Sequence, residues 1–451
     1  MPSSIRKALD ELPTTLDETY ERALQGIPKE KQQHAHHLFQ CLVVAIRPLR
    51  VEELAELFAI EFDHDSGPSL NEGWRPENPE FALLSACSTL IAVIENDGSK
   101  IVQFSHFSVK EYLTSGRLRT SEIGNVRQYH IPLDVAHTVL AQACITVLLQ
   151  LDENVDKKRL ETFPLAFYAA EHWVDHARYE DVASQIQGPM EQLFTPSKPY
   201  LAAWTWIHDM DPGHFSLTER PTPPKATALY YAVLCGFSGL ANHLIITHGE
   251  DVNVKCGYRG SPLHAASFKG HLDAAHVLLT HGADVNTTNK GGETPLCSAY
   301  DGGHLDVMRL LLEHEADVNA YYRGGAGGLL QDVSYRGRLD FVHLLLQHNI
   351  DVNARNVFDN APLHLASIHG HARVAQLLLE HGAIVDAQGY NHYTPLYDAS
   401  LSDHLAVVQV LLAHGADVHI RGLEGTPLQV ATSRGHVEVA QLLLKHGAEK
   451  E

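Results

Sequence analysis

One spacing recurs through the second half of the chain and constrains its fold more than any other feature. Aligned on a single leucine, Leu229, Leu263, Leu296, Leu330, Leu363, Leu396 and Leu428 follow at steps of 34, 33, 34, 33, 33 and 32 residues. One period reads Ser261-Pro262-Leu263-His264-Ala265-Ala266, then Gly270-His271, Val277-Leu278-Leu279 and His281-Gly282-Ala283-Asp284-Val285-Asn286. Pro262 suits the first turn of a helix, where a missing N–H loses no partner and φ is already helical. Ala265 and Ala266 permit close packing, and Gly270 and Gly282 each end a helix in the left-handed region. Ala275-Val277-Leu278-Leu279 supplies an apolar stripe. A helix pair of this size cannot bury that stripe alone, so the copies must stack.

Seven such copies resemble the ankyrin repeat, with its period of about 33 and its T-P-L-H-x-A start. The resemblance implies units at 227–260, 261–292, 293–325, 326–360, 361–392, 393–425 and 426–451. The fourth copy departs from the pattern. It lacks the Thr-Pro start, places Gly324, Gly325, Gly327 and Gly328 ahead of Leu329-Leu330, and ends its outer helix at His348-Asn349 instead of His-Gly. Each glycine raises the entropy lost on ordering, so this joint is expected to be the weakest of the array.

Histidine is the unusual entry in the composition, with 31 residues against 34 Lys+Arg. Twenty of them lie in 227–451, and fourteen of those fall on recurring positions. His264 and His364 follow Pro-Leu. His271, His304, His371, His404 and His436 follow the mid-repeat glycine or its substitute. His248, His281, His314, His348, His381, His414 and His446 close outer helices, where imidazole can bond free carbonyls. Copies of one position stand roughly 10 Å apart, the spacing of packed helices. That is too far for one metal ion, whose ligands lie at about 2 Å. The histidines are therefore expected to be architectural.

The chain of 451 residues carries 55 Asp+Glu and a net charge of −21. Residues 227–451 hold 14 basic against 23 acidic side chains, and 1–226 hold 20 against 32. An acidic field throughout disfavours nucleic acid and anionic membrane as partners. The six cysteines (Cys41, Cys87, Cys144, Cys235, Cys256, Cys297) contain no C-x-x-C pair, which points to reduced thiols. No 18-residue apolar window and no signal-peptide core are present in the sequence, so a cytoplasmic location is expected.

The first half has a different grammar. Leu9, Leu12, Leu16, Tyr20 and Leu24 predict one helix face, ending at Gly26-Ile27-Pro28. Further helices are predicted at 29–46, at 50–58 and at 81–89. Leu90-Ile91-Ala92-Val93-Ile94 and Lys100-Ile101-Val102-Gln103-Phe104 flank Asn96-Asp97-Gly98, a turn that favours a tight hairpin. Helices followed by a hairpin make a winged-helix-like unit over 1–120. A helical connector follows over 121–226, containing a buried helix at 137–149 and others around 164–176 and 179–193. Trp204, Trp206 and Phe215 are expected to form a packed end against the first repeat. Arg220-Pro221-Thr222-Pro223-Pro224-Lys225 marks a short, stiff boundary.

These residues carry a second resemblance. Ile5-Arg6-Lys7-Ala8-Leu9-Asp10-Glu11-Leu12-Pro13 and Leu16-Asp17-Glu18-Thr19-Tyr20-Glu21-Arg22 look like the segment after the nucleotidase in fungal NACHT–ankyrin proteins, which are of the STAND type. Arg47-Pro48-Leu49 and Phe104-Ser105-His106-Phe107-Ser108-Val109-Lys110-Glu111-Tyr112-Leu113 resemble that family's winged-helix segment, sometimes named after a GPI inositol-deacylase. Pro164-Leu165-Ala166-Phe167-Tyr168-Ala169-Ala170-Glu171-His172-Trp173 and His176-Ala177 are similar to its connector. The family's switch is a P-loop, and no G-x-x-x-x-G-K-[ST] occurs here, so the NACHT nucleotidase and its hydrolysis are not carried over. G-x-S-x-G is also absent, so the deacylase name implies no esterase activity.

Two sharper chemistries compete with architecture. His172 and His176, four apart on a helix, could face one zinc ion, but H-W-V-D-H lacks the Glu of H-E-x-x-H and no third ligand is evident. His34, His36 and His37 read as a solvated helix face. A winged helix can read DNA with its third helix, yet Phe81-Ala82-Leu83-Leu84-Ser85-Ala86-Cys87-Ser88-Thr89 carries no cation to neutralise phosphate. A His-rich metal-dependent hydrolase and a DNA-binding regulator therefore stand as alternatives.

The reading adopted is a mainly α, non-enzymatic interaction module. A winged-helix-like domain and helical connector precede an ankyrin α-solenoid with short β-hairpin loops. The array is expected to bind a protein ligand on its concave face through Tyr258, Phe268, Lys269, Lys290, Tyr335, Arg336, Phe358, His369, Tyr390, Tyr393 and Arg434, since aromatic and Arg residues anchor interfaces. The platform would couple to signalling or to a NACHT nucleotidase supplied elsewhere. No catalytic residue, metal, cofactor, nucleic acid, membrane or small-molecule substrate is expected.

Overall fold

The computed structural model describes residues 15–62, 67–96, 98–121, 123–211, 221, 224–322 and 327–449. The segment 5–13, Asp97, Phe215, Arg220, Thr222, Pro223, Gly324 and Gly325 lie outside the described residues. The residues gather in two units, the first reaching Ala228 and counting Ile246–His248, the second holding Leu229–Ile245 and the chain from Gly249 on. No helix among the described residues is long and apolar enough to cross a membrane.

In the first unit Thr15 accepts a hydrogen bond from the Glu18 N–H and starts the helix Leu16–Gln25, relieving an orphan donor. Tyr20 and Leu24 are buried, but Leu16 is exposed, so the apolar face is narrower than expected. A 3₁₀ turn at Lys29–Lys31 leads into Gln32–Val44, which buries Leu38, Phe39 and Val43. Val51–Ala55 continues as a 3₁₀ turn, Glu56–Ala59. Asn78 caps Pro79–Cys87 by accepting from the Phe81 N–H at 3.0 Å. The hairpin pairs Ile91–Asn96 with Ser99–Phe104, and Gly98 takes a positive φ at its turn. Leu49–Arg50 joins as a third antiparallel strand against Ser99–Phe104, with Leu49 opposite Val102. Two residues are too short to show a period of two, which is why this strand is not legible in the sequence.

The connector helices are Leu133–Leu148, Ala166–Ala177, Gln187–Phe194 and Tyr200–Ile207, with shorter turns between. Trp204 packs at 5.3 Å on Trp173 and 5.7 Å on Phe194, and its indole N–H donates to the Ala170 carbonyl at 2.9 Å. Buried carboxylates tie this unit together. Glu53, fully buried, accepts from both Nη groups of Arg47 at 2.8 Å and from the Arg50 N–H at 2.8 Å.

In the second unit the inner helices are Ala228–Leu234, Pro262–Lys269, Pro295–Gly302, Leu329–Tyr335, Pro362–Ile368, Pro395–Leu401 and Pro427–Arg434. Their outer partners are Ser238–His248, Leu272–Thr280, Leu305–Glu313, Leu339–Leu346, Ala372–Glu380, Leu405–Ala413 and Val437–Lys445. One apolar core runs through the stack from Leu229 to Ala448. The expected hairpin loops are reduced to turns with bridges at Cys256–Gly260 and Gly422–Gly425, and one two-residue pair, Tyr321–Tyr322 with Gly327–Gly328.

Most of the repeated histidines have structural partners. His271, His304, His371, His404 and His436 place Nε2 at 3.2, 3.0, 3.0, 2.9 and 3.1 Å from the carbonyls of Leu234, Phe268, Tyr335, Ile368 and Leu401 in the preceding repeat. A carbonyl only accepts, so Nε2–H donates and the tautomer follows. His264 is held by Ser261 Oγ at 2.7 Å and the Glu293 carbonyl at 2.9 Å. His381, His414 and His446 donate through Nδ1–H to the carbonyls of Leu377, Val410 and Leu442, which also accept the same residues' backbone N–H.

The joint between repeats three and four is built differently. Arg338 takes the ladder histidine's place and lies 5.6 Å over the Phe341 ring. Tyr300 donates instead to Asp332 Oδ2 at 2.7 Å, which also receives Arg336 Nε at 2.7 Å. Asn349 adopts a positive φ where most copies carry glycine, and so does Glu315 in repeat three.

Candidate protein-binding surface

The turns between repeats expose their tips because the backbone folds back sharply beneath them. Tyr258 stands between Gly257 and Gly260, both at positive φ. Counting 33 residues from it reaches Gly291, Gly324, Val357, Tyr390 and Leu423. Tyr258, Val357, Tyr390 and Leu423 are 66%, 65%, 58% and 73% exposed, and Phe358 beside Val357 is 61% exposed. Three consecutive tips thus carry uncovered apolar side chains.

Of the eleven residues expected on this face, Tyr258, Lys290, Phe358 and Tyr390 stand on tips. Phe268, Lys269, Tyr335, Arg336, His369 and Arg434 lie at the ends of inner helices, and Tyr393 precedes the helix Pro395–Leu401. Nine are exposed, while Phe268 and Tyr393 are half-buried. Tyr335 and His369 meet edge-to-face at 4.1 Å. The Arg259 guanidinium lies 3.2 Å from the Phe268 ring centroid and 5.6 Å from that of Tyr258, joining those two. Tyr393 stacks on Tyr397 at 4.1 Å. Lys290 and Arg434 have no ring contact or ion pair among the described residues. Sequence reasoning passed over Arg259, Val357 and Leu423. The step of 33 residues linking Tyr258 to Tyr390 would have found the last two.

Beneath this surface Asp398 lies on the inner helix of repeat six, 5% exposed, with Oδ2 lacking a hydrogen-bond partner among the described residues. Burial raises its carboxyl pKa to about 8, because a desolvated anion without a partner is costly.

The first unit separates its histidines. His176 is buried, with Nδ1 at 2.9 Å from His137 Nδ1 and Nε2 at 2.9 Å from the Tyr168 hydroxyl. Both ring nitrogens therefore have protein partners, while His172 lies 3.5 Å from the carboxylates of Glu171 and Asp175. Burial, with His137 and His172 nearby, lowers the His176 pKa to about 3. On Gln32–Val44, His34 is exposed and His36 and His37 are half-buried: His34 stacks on Phe58 at 5.2 Å, His37 meets Phe62 at 4.4 Å, and His36 lies 6.0 Å from Tyr129. Burial, aided by His37, lowers the His36 pKa to about 4. Pro79–Cys87 exposes Phe81, and Glu80 pairs with Lys100 of the wing at 2.6 Å.

Comparison with known proteins follows this division. Residues 20–123 match the family described as GPI inositol-deacylase, winged helix domain. Residues 223–322 and 329–422 match ankyrin repeats in three copies, and 425–450 match a single ankyrin repeat. The azaphilone pigments biosynthesis cluster protein L of Monascus ruber is 31% identical over 284 residues, covering 58% of this chain and 58% of that protein. The chain thus matches less than two thirds of that relative's length. Among solved structures, the human ASB11 ankyrin repeat domain is 28% identical, with 50% of this chain and 100% of that chain covered and a TM-score of 0.43. The ankyrin repeat domain of Bcl-3, a member of the IkappaB protein family, is 27% identical, with 49% and 100% covered and a TM-score of 0.45. The chain is mainly helical and joins a winged-helix domain of GPI inositol-deacylase type to a following array of ankyrin repeats.

Proposed function

We propose that the ankyrin array recognises a protein ligand through its concave face and tips, and that the winged-helix platform couples this recognition to signalling. The coupled element would be a NACHT nucleotidase on another polypeptide, in a role like non-self recognition. The observation that carries the reading is the row formed by Val357, Phe358, Tyr390 and Leu423. Apolar side chains exposed singly mean little, whereas a row at repeat spacing offers area that a partner can desolvate. Tyr335, His369 and the cations Arg336 and Arg434 at inner-helix ends would supply the polar part of such a contact. We read the chain as non-enzymatic. The Monascus relative's name supports a place beside a fungal biosynthetic gene set as an accessory binding component.

A photo-crosslinking amino acid at Tyr390 tests this reading in the full chain in its native host. Crosslinks to a discrete protein are expected at that tip and not at Leu272 on the outer-helix side. Tyr335→Ala combined with Tyr390→Ala should abolish the adduct partner's capture while leaving the unfolding transition in place. Equal crosslinking at both positions, or full capture by the double variant, would refute the surface.

A further inference from the structure

Residues 47–75 build one arrangement twice. Arg47 gives both Nη groups to Glu53 at 2.8 Å while its guanidinium lies 4.9 Å over Tyr168. Arg75 grips Glu56 through Nε at 3.1 Å while lying 5.0 Å over Phe163. In each case a carboxylate neutralises the edge of the planar cation and an aromatic ring takes its face.

A third set of the same parts stands nearby without an arginine. A cleft of about 220 Å³ is lined by His34, His37, Phe58, Glu61, Phe62 and Trp74, and no described Lys or Arg lines it. His34 stacks on Phe58 with 24° between the planes. Desolvation lowers the His34 pKa, which keeps that wall uncharged near neutral pH. Trp74 is 52% exposed, next in sequence to Arg75, whose side chain is held by Glu56 and Glu72. The Glu61 side chain makes no hydrogen bond or ion pair among the described residues. The volume falls below the roughly 300–1,000 Å³ of sites for drug-sized ligands, so it has room for one side chain.

We propose that this cleft is a docking pocket for an arginine side chain of a partner polypeptide. The guanidinium face rests on Trp74 and the Phe58–Phe62 wall, and its edge turns to Glu61. Arginine is favoured over lysine because a planar cation can stack and pair at once, as Arg47 and Arg75 do. Charge complementarity points the same way, since residues 1–226 carry 20 basic against 32 acidic side chains. The pocket is independent of the array and adds a second contact, selective for basic partners.

The test uses the full chain titrated with N-acetyl-arginine amide and followed by ligand-observed NMR. Saturable binding is expected. Glu61→Gln and Trp74→Ala should each weaken it by about five-fold or more with the unfolding midpoint unchanged. Trp74→Phe, which keeps a ring, should retain most of the affinity. N-acetyl-citrulline amide, neutral and of the same shape, should not bind. The proposal is overturned if citrulline or tetramethylammonium binds as well as the arginine amide, if none binds, or if Glu61→Gln binds like the parent chain.

Discussion

The imidazole of His304 lies against the Cα of Gly270 in the preceding repeat, and its Nε2 donates to the Phe268 carbonyl at 3.0 Å. Gly270 has a φ of 75°, and a Cβ built there would overlap the imidazole ring. Gly303, with a φ of 81°, has nothing within 4 Å of such a Cβ, because the next repeat offers Arg338 in place of histidine. Gly303→Ala is therefore expected to cost about 1 kcal/mol, the backbone penalty alone. Gly270→Ala should cost on the order of 2–4 kcal/mol, since it also displaces the ring. Urea unfolding of the two variants checks the difference, and equal losses would show that the imidazole contact carries no energy.

Repeat four should open first. Its joint with repeat three lacks the histidine–carbonyl bond and relies on Asp332 receiving Tyr300 and Arg336. Amide exchange over 329–346 is expected to be faster than in the helices of repeats two and five. Asp332→Ala should widen the gap by about 1–2 kcal/mol in opening free energy. Protection equal to the neighbouring repeats in the parent chain would contradict this.

Asp398 should make the array less stable as pH rises. Its carboxyl titrates at about 8 when folded and near 4 in an unfolded chain. Below pH about 4 both states are protonated and no cost arises. As pH climbs towards 8 the unfolded chain ionises alone and is favoured, by an amount reaching on the order of 5 kcal/mol. Asp398→Leu, matching Leu365 in the preceding repeat, is expected to raise the unfolding temperature at pH 8. It should change it little at pH 4. A pH-independent effect would exclude the buried carboxyl as the cause.

Removing Arg47 leaves the fully buried Glu53 carboxylate to Arg50 alone, whose guanidinium and backbone N–H both reach it at 2.8 Å. Arg47→Ala is expected to destabilise the first unit by about 1–3 kcal/mol, and to lose the packing over Tyr168. Arg47→Ala with Glu53→Leu should recover most of that loss. Calorimetry of both variants distinguishes a charge effect from a packing effect, because only the former is relieved by the second change.

The array was legible because each copy repeats its punctuation, and seven weak signals in register make a strong one. Fourteen histidines could be assigned to architecture before any partner was known, although the carbonyl that each ladder histidine bonds lies 35–37 residues away and could not be named. Local signals also located the wing hairpin. What escaped was whatever depends on distant residues meeting. The ring contacts of His34 and His37 could not be named, because Phe58 and Phe62 come from a later stretch of the chain. The partners of Trp204, Trp173 and Phe194, lie in other helices and could not be named either. Val357 and Leu423 were hidden by their ordinary chemistry, and only exposure marks them.

The contact between His304 and Gly270 also bears on how such an array can grow or shrink. Each lock is written half in one copy and half in the next, so inheritance acts on pairs, not on single copies. Gly303 has no imidazole above it, while His371 sits over Gly337 within repeat four. In-frame loss of that one copy would bring His371 onto Gly303 and complete a junction that the present chain leaves open. A six-copy chain made this way is expected to show unbroken amide protection across the new seam, so that the deletion would repair the stack it shortens.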